Sequence, residues 1–403
     1  MFDFLELILI STSSITLFTT VVLLVFYKYG KEQVNVKTLP SVSVFVPYYN
    51  EDSDVLLKTL SYLDNQEYPL LLEVLIIDDG STNDSKKAVE QWLNVPRRQK
   101  YLLINKHKNN GRKGFALDYA LSLEIATGDA YVIVDSDTFI QSDGIKELVS
   151  KLWSDDRYAA VCGYITPNNY KDSFIGLLQH YEHISFYGAI RSAQDKLGCV
   201  PVLAGAFVAH RASIIKDLGG WSEWLVEDIA WCWKAISNGY KTGYAPKAKA
   251  STQCPIDSKG LFNQRRRWAR GRVEAFVVAW KTHWFAGICS TPWFFITASQ
   301  YIFPSSLILL GLMLVFHIWI PLILGGVNMI FYSASFVYQR ERFATRVNNE
   351  SNIKSTFVFI SIGVDNVVAK FIRIYRRNFK EKENMVNKIN SLLTFNERST
   401  LLL

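Results

Sequence analysis

The apolar and polar positions divide the chain into two apolar end regions and a mixed middle region. Residues 5–27 are almost all apolar, with no charged residue after Glu6. A run of about 23 residues is long enough to cross a bilayer. Residues 291–338 contain no Asp, Glu, Lys or Arg and have room for two crossings. We therefore predict an N-terminal transmembrane helix in residues 1–30 and two more transmembrane helices in residues 291–338.

Basic residues beside these runs predict which side of the membrane the middle region occupies. Lys28 and Lys31 follow the first run, and Gln339-Arg340-Glu341-Arg342 follows the second. Lys and Arg accumulate on the cytoplasmic side of membrane proteins, so we expect the region between the runs in the cytosol. A secretory signal is disfavoured because Asp3 and Glu6 replace the usual basic start. The expected location is the cell (inner or plasma) membrane.

Two further segments are predicted to lie at the membrane surface. Residues 271–290 mix aromatic and basic residues, which is typical of an interfacial helix. Residues 355–374 are apolar but carry three charges, so a short span, a re-entrant segment and an interfacial helix remain open. We favour the interfacial helix because it keeps the basic tail in the cytosol. Residues 339–403 are then a basic cytosolic or interfacial C-terminal segment.

Strands and helices alternate in the middle region. Four short runs are apolar and rich in β-branched residues, and each is followed by a polar loop or a helical pattern: residues 42–47, 72–77, 101–104 and 131–134. Such alternation implies a parallel sheet with right-handed crossovers. We therefore predict a cytosolic α/β domain over residues 31–270.

Acidic residues stand at the ends of apolar stretches. There are three such motifs: Asp78-Asp79, Asp135-x-Asp137 and Glu227-Asp228. Each alone could be a turn or a helix cap. In an open parallel sheet, however, ligands bind outside the carboxyl ends of the strands. Paired carboxylates there suit a hard divalent cation held against a phosphate.

Composition narrows the classes of function. A hydrophobic content of 49% excludes a disordered chain, and the net charge of +7 fits either a nucleic-acid binder or a membrane protein with basic flanks. The five cysteines form no C-x-x-C pair, so neither a disulfide framework nor a zinc site is indicated. His180 and His183 have i, i+3 spacing, which we interpret as a pair on a helix surface rather than a metal site.

The motifs together resemble the processive family 2 glycosyltransferases, which include poly-N-acetylglucosamine, hyaluronan and cellulose synthases. The resemblance covers roughly residues 1–340 and rests on five motifs in the family's order: Pro47-x-Tyr49-Asn50-Glu51, Asp78-Asp79-Gly80-Ser81, Asp135-x-Asp137, Glu227-Asp228 and Gln264-x-x-Arg267-Trp268. It implies a GT-A-type nucleotide-binding domain with a mixed, largely parallel sheet, together with transmembrane and interfacial helices.

The resemblance also implies roles for single residues on the donor side. Tyr49, Glu51, Asp78 and Asp79 would hold the uridine of a UDP-sugar. Asp135 and Asp137 would bind Mg²⁺ or Mn²⁺, with Asp137 favoured as the direct ligand, and Asp135 would also contact the donor.

A basic residue before the fourth helix would meet the diphosphate. Lys113 is the residue carried over, because a helix N-terminus favours anions. This chain has Gly111-Arg112-Lys113-Gly114 where relatives usually have Gly-Lys, so either Arg112 or Lys113 could contact phosphate.

On the acceptor side, the resemblance implies that Asp228 is the general base. Val226 stands where the family has Thr. Gln264, Arg267 and Trp268 lie on one helix face, where Arg267 would pair with the diphosphate and Trp268 would stack under the acceptor sugar. Basic residues of this segment could instead contact lipid headgroups.

The implied activity is that of a membrane-bound, inverting, processive β-glycosyltransferase that moves its polymer through its own membrane segments. UDP-N-acetylglucosamine is the favoured donor. Synthesis of hyaluronan, cellulose or another capsular polymer, single transfer to a lipid phosphate, and a catalytically dead membrane scaffold are the alternatives. The expected partners are the UDP-sugar, the growing polysaccharide, the lipid bilayer and a small membrane subunit, but no nucleic acid.

Overall fold

A computed structural model describes most of the chain. The described residues are 2–29, 36, 38–221, 224–291, 294, 314–315 and 319–348. Among them, no helix combines the length and the apolar character needed to cross a membrane. Much of 291–318 and everything after residue 348, including the segment 355–374, lie outside the described residues, and the assignments made there stay predictions.

Helices and strands alternate along the described chain. The strands are β1 (Val42–Tyr48), β2 (Glu73–Asp78), β3 (Lys100–Asn105), β4 (Ala130–Val134), β5 (Phe139–Ile140), β6 (Tyr158–Pro167), β7 (Phe207–Arg211) and β8 (Lys241–Thr252). The helices are α1 (Phe2–Tyr29), α2 (Ser53–Asp64), α3 (Ser85–Leu93), α4 (Lys113–Ser122), α5 (Gly144–Trp153), α6 (Phe174–Glu182), α7 (Arg191–Leu197), α8 (Ala212–Asp217), α9 (Glu227–Ser237), α10 (Ser258–Thr282) and α11 (Trp319–Asn348). A π-helical segment, His183–Ile190, joins α6 to α7.

The eight strands form one mixed sheet in the order β3-β2-β1-β4-β7-β6-β8-β5. The pairs from β3 to β4 are parallel, whereas β7 runs antiparallel to both of its neighbours. The carboxyl ends of β1, β2 and β4 therefore meet at one edge of the sheet. The predicted α/β fold with a mixed sheet is confirmed.

The core lies on both faces of this sheet. Side chains of β1 alternate between two buried clusters, because successive residues of a strand point to opposite faces. Val44 and Val46 pack with Leu56 of α2 on one face, and Phe45 packs with Leu117 of α4 on the other. Burial on both faces explains why the central strands read as continuous apolar runs.

The structure adds detail in the second half of the domain. Strand β7 begins at Phe207, because the residues before it form a loop against Asp228. Strand β8 was not predicted, since its small and basic residues show no apolar alternation. The boundary at residue 270 between the catalytic domain and an interfacial helix falls inside α10, which continues to Thr282.

Helices α1 and α11 pack on each other and on the α/β domain. Lys196 of α7 donates a hydrogen bond to the Tyr27 carbonyl of α1 at 2.9 Å. Helix α11 contacts the π-helical segment, and Phe343 of α11 is only 2% exposed. After α10 ends, Trp284 and Phe285 leave more than half of their side chains exposed.

Candidate active site

The loop after β1 and the loop after β2 are joined by Asn50. The Asn50 side-chain oxygen accepts hydrogen bonds from the backbone amides of Thr82 and Asn83 at 2.7 and 3.3 Å. The backbone amide of Asn50 donates a hydrogen bond to Ser81 Oγ. Asn50 holds a left-handed backbone with φ of +50°, which Asn tolerates better than most residues. The neighbouring Tyr49 is 48% exposed, so its ring faces solvent at this edge.

Asp78 and Asp79 are both buried at the end of β2. Asp78 accepts a hydrogen bond from the Ser81 amide at 2.9 Å, which closes the turn. Asp79 forms an ion pair with Lys106 at 2.6 Å. Burial raises the pKa of Asp79, and Lys106 offsets only part of this rise. Sequence reasoning missed Lys106, although its place directly after β3 puts it at the same edge.

Asp135 and Asp137 follow β4 directly, and neither is fully buried. Between them, Ser136 donates a hydrogen bond to Glu51 at 2.7 Å, so Glu51 faces this motif. Burial, Asp135 and Glu51 raise the pKa of Asp137 to about 6. Thr252 Oγ1 donates to Asp137 Oδ1 at 3.1 Å and fixes its direction.

Lys113 connects the donor and acceptor motifs. Its ammonium group donates to the Asp135 carboxylate and, at 2.9 Å, to the Gly205 carbonyl. Glu227 lies 3.5 Å away. Burial lowers the pKa of Lys113, but the carboxylates outweigh it and the net pKa lies above the ordinary value. The Arg112 guanidinium lies 5.9 Å from the centre of the Phe115 ring.

Asp228 is held by two backbone amides. Its carboxylate accepts from the Gly205 amide at 2.8 Å and from the Ile229 amide at 2.7 Å. A side chain at position 205 would lie 2.5 Å from Asp228 Oδ2, so only Gly allows this approach. Burial raises the pKa of Asp228. It also raises the pKa of the neighbouring Glu227, to about 7.

Helix α10 reaches the same region through a residue that the motif search missed. Glu274 is 8% exposed and accepts a hydrogen bond from the Val226 amide at 3.2 Å. Val226 itself packs against Gly271, where an added Cβ would lie 2.6 Å away. The apolar residue in place of Thr therefore fills the gap between α9 and α10.

Gln264 and Arg267 line a cleft of about 430 Å³ together with residues 253–255 and Asn263. Gln264 Oε1 is buried and finds no hydrogen-bond partner among the described residues. Trp268 is half-buried, and the Arg265 guanidinium lies 4.4 Å from its ring centre. Gln264 and Arg267 can therefore contact a polar ligand in the cleft.

Hydrogen bonds and ion pairs link the first four motifs into one chain of contacts. It runs from the Asn50 loops through Glu51 and Ser136 to Asp135, and then through Lys113 to Glu227. Arg265, which lies within the fifth motif, donates hydrogen bonds to the Tyr187 hydroxyl and to Glu182.

His180 and His183 do not lie on a helix surface, although their i, i+3 spacing predicted that they would. His180 and His183 do not form a surface pair, because His180 stacks on Tyr170 at 4.1 Å and His183 contacts the Ile165 carbonyl at 2.7 Å. Burial lowers the pKa of His180 to about 4 and that of His183 to about 3. Among the described residues, no group of three or more His, Cys, Asp or Glu side chains could hold a metal ion unaided.

Part of the chain is similar to known proteins. Residues 43–219 match the model of the family described as Glycosyl transferase family 2. Over 248 residues the chain is 29% identical to a poly-beta-1,6-N-acetyl-D-glucosamine synthase of Staphylococcus aureus (strain MSSA476), covering 61% of this chain and 58% of that protein. The synthase of Staphylococcus epidermidis is 29% identical over 237 residues, or 59% of this chain and 55% of that protein.

A solved structure shares the fold. It is a mannosyltransferase from Pyrobaculum calidifontis in complex with GDP-Man and Mn²⁺, with a TM-score of 0.58 and 21% identity, covering 91% of this chain and 99% of the other. The chain spans less than three fifths of the length of the curated relatives that it matches. Part of the chain thus matches the family 2 glycosyltransferase model, and about three fifths of it resembles the poly-beta-1,6-N-acetyl-D-glucosamine synthases.

Proposed function

We propose that the chain is a membrane-bound, inverting, processive β-glycosyltransferase that polymerises sugar from UDP-N-acetylglucosamine. The observation that supports the proposal is the continuous set of contacts from the Asn50 loops to Glu227, which groups the acids of the first four motifs. The names of the staphylococcal relatives support the choice of sugar.

The donor would lie across the carboxyl ends of β1, β2 and β4. Tyr49 offers a ring for the uracil, and Asp78 and Asp79 offer acceptors for its N–H. Lys113 supplies a positive charge for the diphosphate at the N-terminus of α4, where the helix dipole also favours anions.

The residues present fit a divalent cation completed by the diphosphate. Asp135 and Asp137 supply hard oxygen ligands, which Mg²⁺ and Mn²⁺ prefer, and both remain partly exposed. The Pyrobaculum mannosyltransferase that shares the fold was solved with Mn²⁺. When bound, the cation would neutralise the charge that develops on the leaving UDP.

Asp228 would act as the general base. The acceptor oxygen forms the new bond to the anomeric carbon while the bond from that carbon to the diphosphate breaks, and the hydroxyl proton passes to Asp228. The raised pKa of this buried carboxylate suits a base, because proton transfer is most efficient when the pKa lies nearer the working pH. The two amides on its oxygens hold the carboxylate in place.

The acceptor would enter beside α10. Arg267 offers a planar guanidinium to the diphosphate, and Trp268 offers an aromatic face to the acceptor sugar. We further propose that the polymer leaves through the predicted membrane segments. The exposed aromatic residues after α10 support contact with a membrane interface.

The direct experiment supplies radiolabelled UDP-sugars to the purified full chain with Mg²⁺ or Mn²⁺ and sizes the product. We expect incorporation from UDP-N-acetylglucosamine into long chains. Incorporation from another donor alone would contradict the sugar, and a product with one added sugar on a lipid would contradict processive synthesis.

A further inference from the structure

A phenylalanine of α11 fits into a notch in the π-helical segment. Phe343 packs edge-on against Tyr164 of β6, with ring centres 5.0 Å apart. On its other side lies Gly188, where an added Cβ would be 2.5 Å from Phe343 Cε1 and 2.8 Å from Cζ. The ring therefore occupies space that exists only because residue 188 has no side chain.

The residue before that glycine contacts the acceptor motif. The Tyr187 hydroxyl accepts a hydrogen bond from Arg265 at 3.1 Å, and its ring meets Trp268 edge-on with centres 6.0 Å apart. Arg265 also pairs with Glu182 and lies over the Trp268 ring. Tyr187 and Arg265 thus fix the position of Trp268 from two sides.

The contacts of α10 and α11 lie on adjacent residues of the π-helical segment. π-helical turns are rare and occur frequently at functional sites. Here adjacent residues contact different helices, since Tyr187 reaches α10 and Gly188 receives α11. The Arg191 guanidinium of α7 lies 4.9 Å from the Tyr187 ring centre. A shift of Phe343 would consequently displace Tyr187.

We propose that Phe343 is a positioning residue for the acceptor: seated on Gly188, it sets Tyr187 and thereby the orientation of Trp268 under the acceptor sugar. The inference rests on the proposed function, because it concerns the same acceptor site. It links α11 to sugar binding without any direct contact between Phe343 and the substrate.

The test measures donor and acceptor kinetics separately on the purified full chain. The donor is UDP-N-acetylglucosamine, and the acceptor is a short β-linked N-acetylglucosamine oligomer. We expect Phe343→Ala and Tyr187→Ala each to raise the acceptor KM by about five-fold or more, with the donor KM changed less than about two-fold. Tyr187→Phe keeps the ring and loses only the bond to Arg265, so its effect should be smaller.

Double variants distinguish a positioning effect of Phe343 from a general loss of folded structure. Tyr187→Ala/Phe343→Ala should be no worse than Tyr187→Ala, because one residue acts through the other. Gly188→Ala places a methyl group against the Phe343 ring and should raise the acceptor KM. Removing that ring in Gly188→Ala/Phe343→Ala should recover part of the loss.

The matched control is Leu148→Ala, which removes a buried side chain of α5 in the other core cluster. This variant should lower the Tm and leave the ratio of the acceptor KM to the donor KM unchanged. Equal changes of donor and acceptor KM in Phe343→Ala, or additive effects with Tyr187→Ala, would overturn the inference. Failure of the wild-type chain to use UDP-N-acetylglucosamine would contradict the donor assignment instead. The variants would then be compared with the UDP-sugar that the wild-type chain does use.

Discussion

At the scale of single residues, Lys113 is the link between the two halves of the site. Its ammonium group contacts Asp135 and the Gly205 carbonyl and lies near Glu227. Its positive charge therefore offsets the negative charge of these carboxylates, which would otherwise repel one another. The same negative charge would repel a bound diphosphate. The Arg112 guanidinium, one residue earlier, lies 5.9 Å from the centre of the Phe115 ring.

We expect Lys113→Met to weaken binding of the UDP-sugar by about 10- to 100-fold, because a hydrogen bond to a charged group is lost. Isothermal titration of UDP with Mn²⁺ into the purified chain measures this change. The control is Arg112→Met, which removes a neighbouring charge and should leave the affinity within a few-fold. Equal losses in the two variants would contradict the role given to Lys113.

Glu227 predicts a pH dependence of stability. Its pKa is raised from 4.5 to about 7 in the folded chain, so between those values the folded state keeps a proton that the unfolded state releases. Stability from this group is therefore lost as the pH rises through that window. Thermal unfolding from pH 5 to 8 should show a decline in Tm that is smaller in Glu227→Gln. Parallel curves for the two proteins would contradict the shift.

At the scale of elements, short turns hold together the loops after β1 and β2, which form the proposed donor side. Gly80 has φ of +78°, and an added Cβ would lie 2.9 Å from the Asn109 amide. The turn thus brings the loop after β2 close to the loop before α4. Gly239 has a similar φ of +84°, but nothing lies within 4 Å of its would-be Cβ.

Gly80→Ala should therefore cost more than backbone strain alone. Both Gly80→Ala and Gly239→Ala force a side chain into left-handed backbone, at about 1–2 kcal/mol of unfolding free energy. Only Gly80→Ala also pushes on residue 109, so we expect weaker UDP binding in this variant alone. Denaturant unfolding and UDP titration measure the two effects. Unchanged UDP affinity in Gly80→Ala would contradict the proposed donor side.

At the scale of the whole molecule, the sequence predicts what depends on neighbours along the chain. The apolar runs of β1, β2 and β4 and the acids after them are local patterns, and the structure places them at one edge as expected. The partners of the site could not be predicted in this way. Gly205 meets Asp228 from 23 residues away, and Tyr187 meets Arg265 from 78 residues away. Such contacts depend on tertiary packing and leave no periodic pattern.

The membrane predictions also belong to the whole molecule. The apolar run in residues 5–27, the uncharged run 291–338 and the exposed Trp284 and Phe285 predict that the full chain stays with the membrane. In a fractionated cell lysate, the chain should remain in the membrane pellet after alkaline carbonate washing and leave it in detergent. Recovery in the supernatant before any wash would contradict membrane insertion.

The central claim is that Asp228 takes the acceptor proton at the sheet edge where the donor binds. Asp228→Asn keeps the shape of the side chain and an oxygen for one of the two backbone amides, but it removes the base. The account predicts that transfer from the UDP-sugar falls by about 10²–10⁴-fold, the usual contribution of a general base, while UDP affinity stays within a few-fold. Wild-type turnover in this variant would contradict the account.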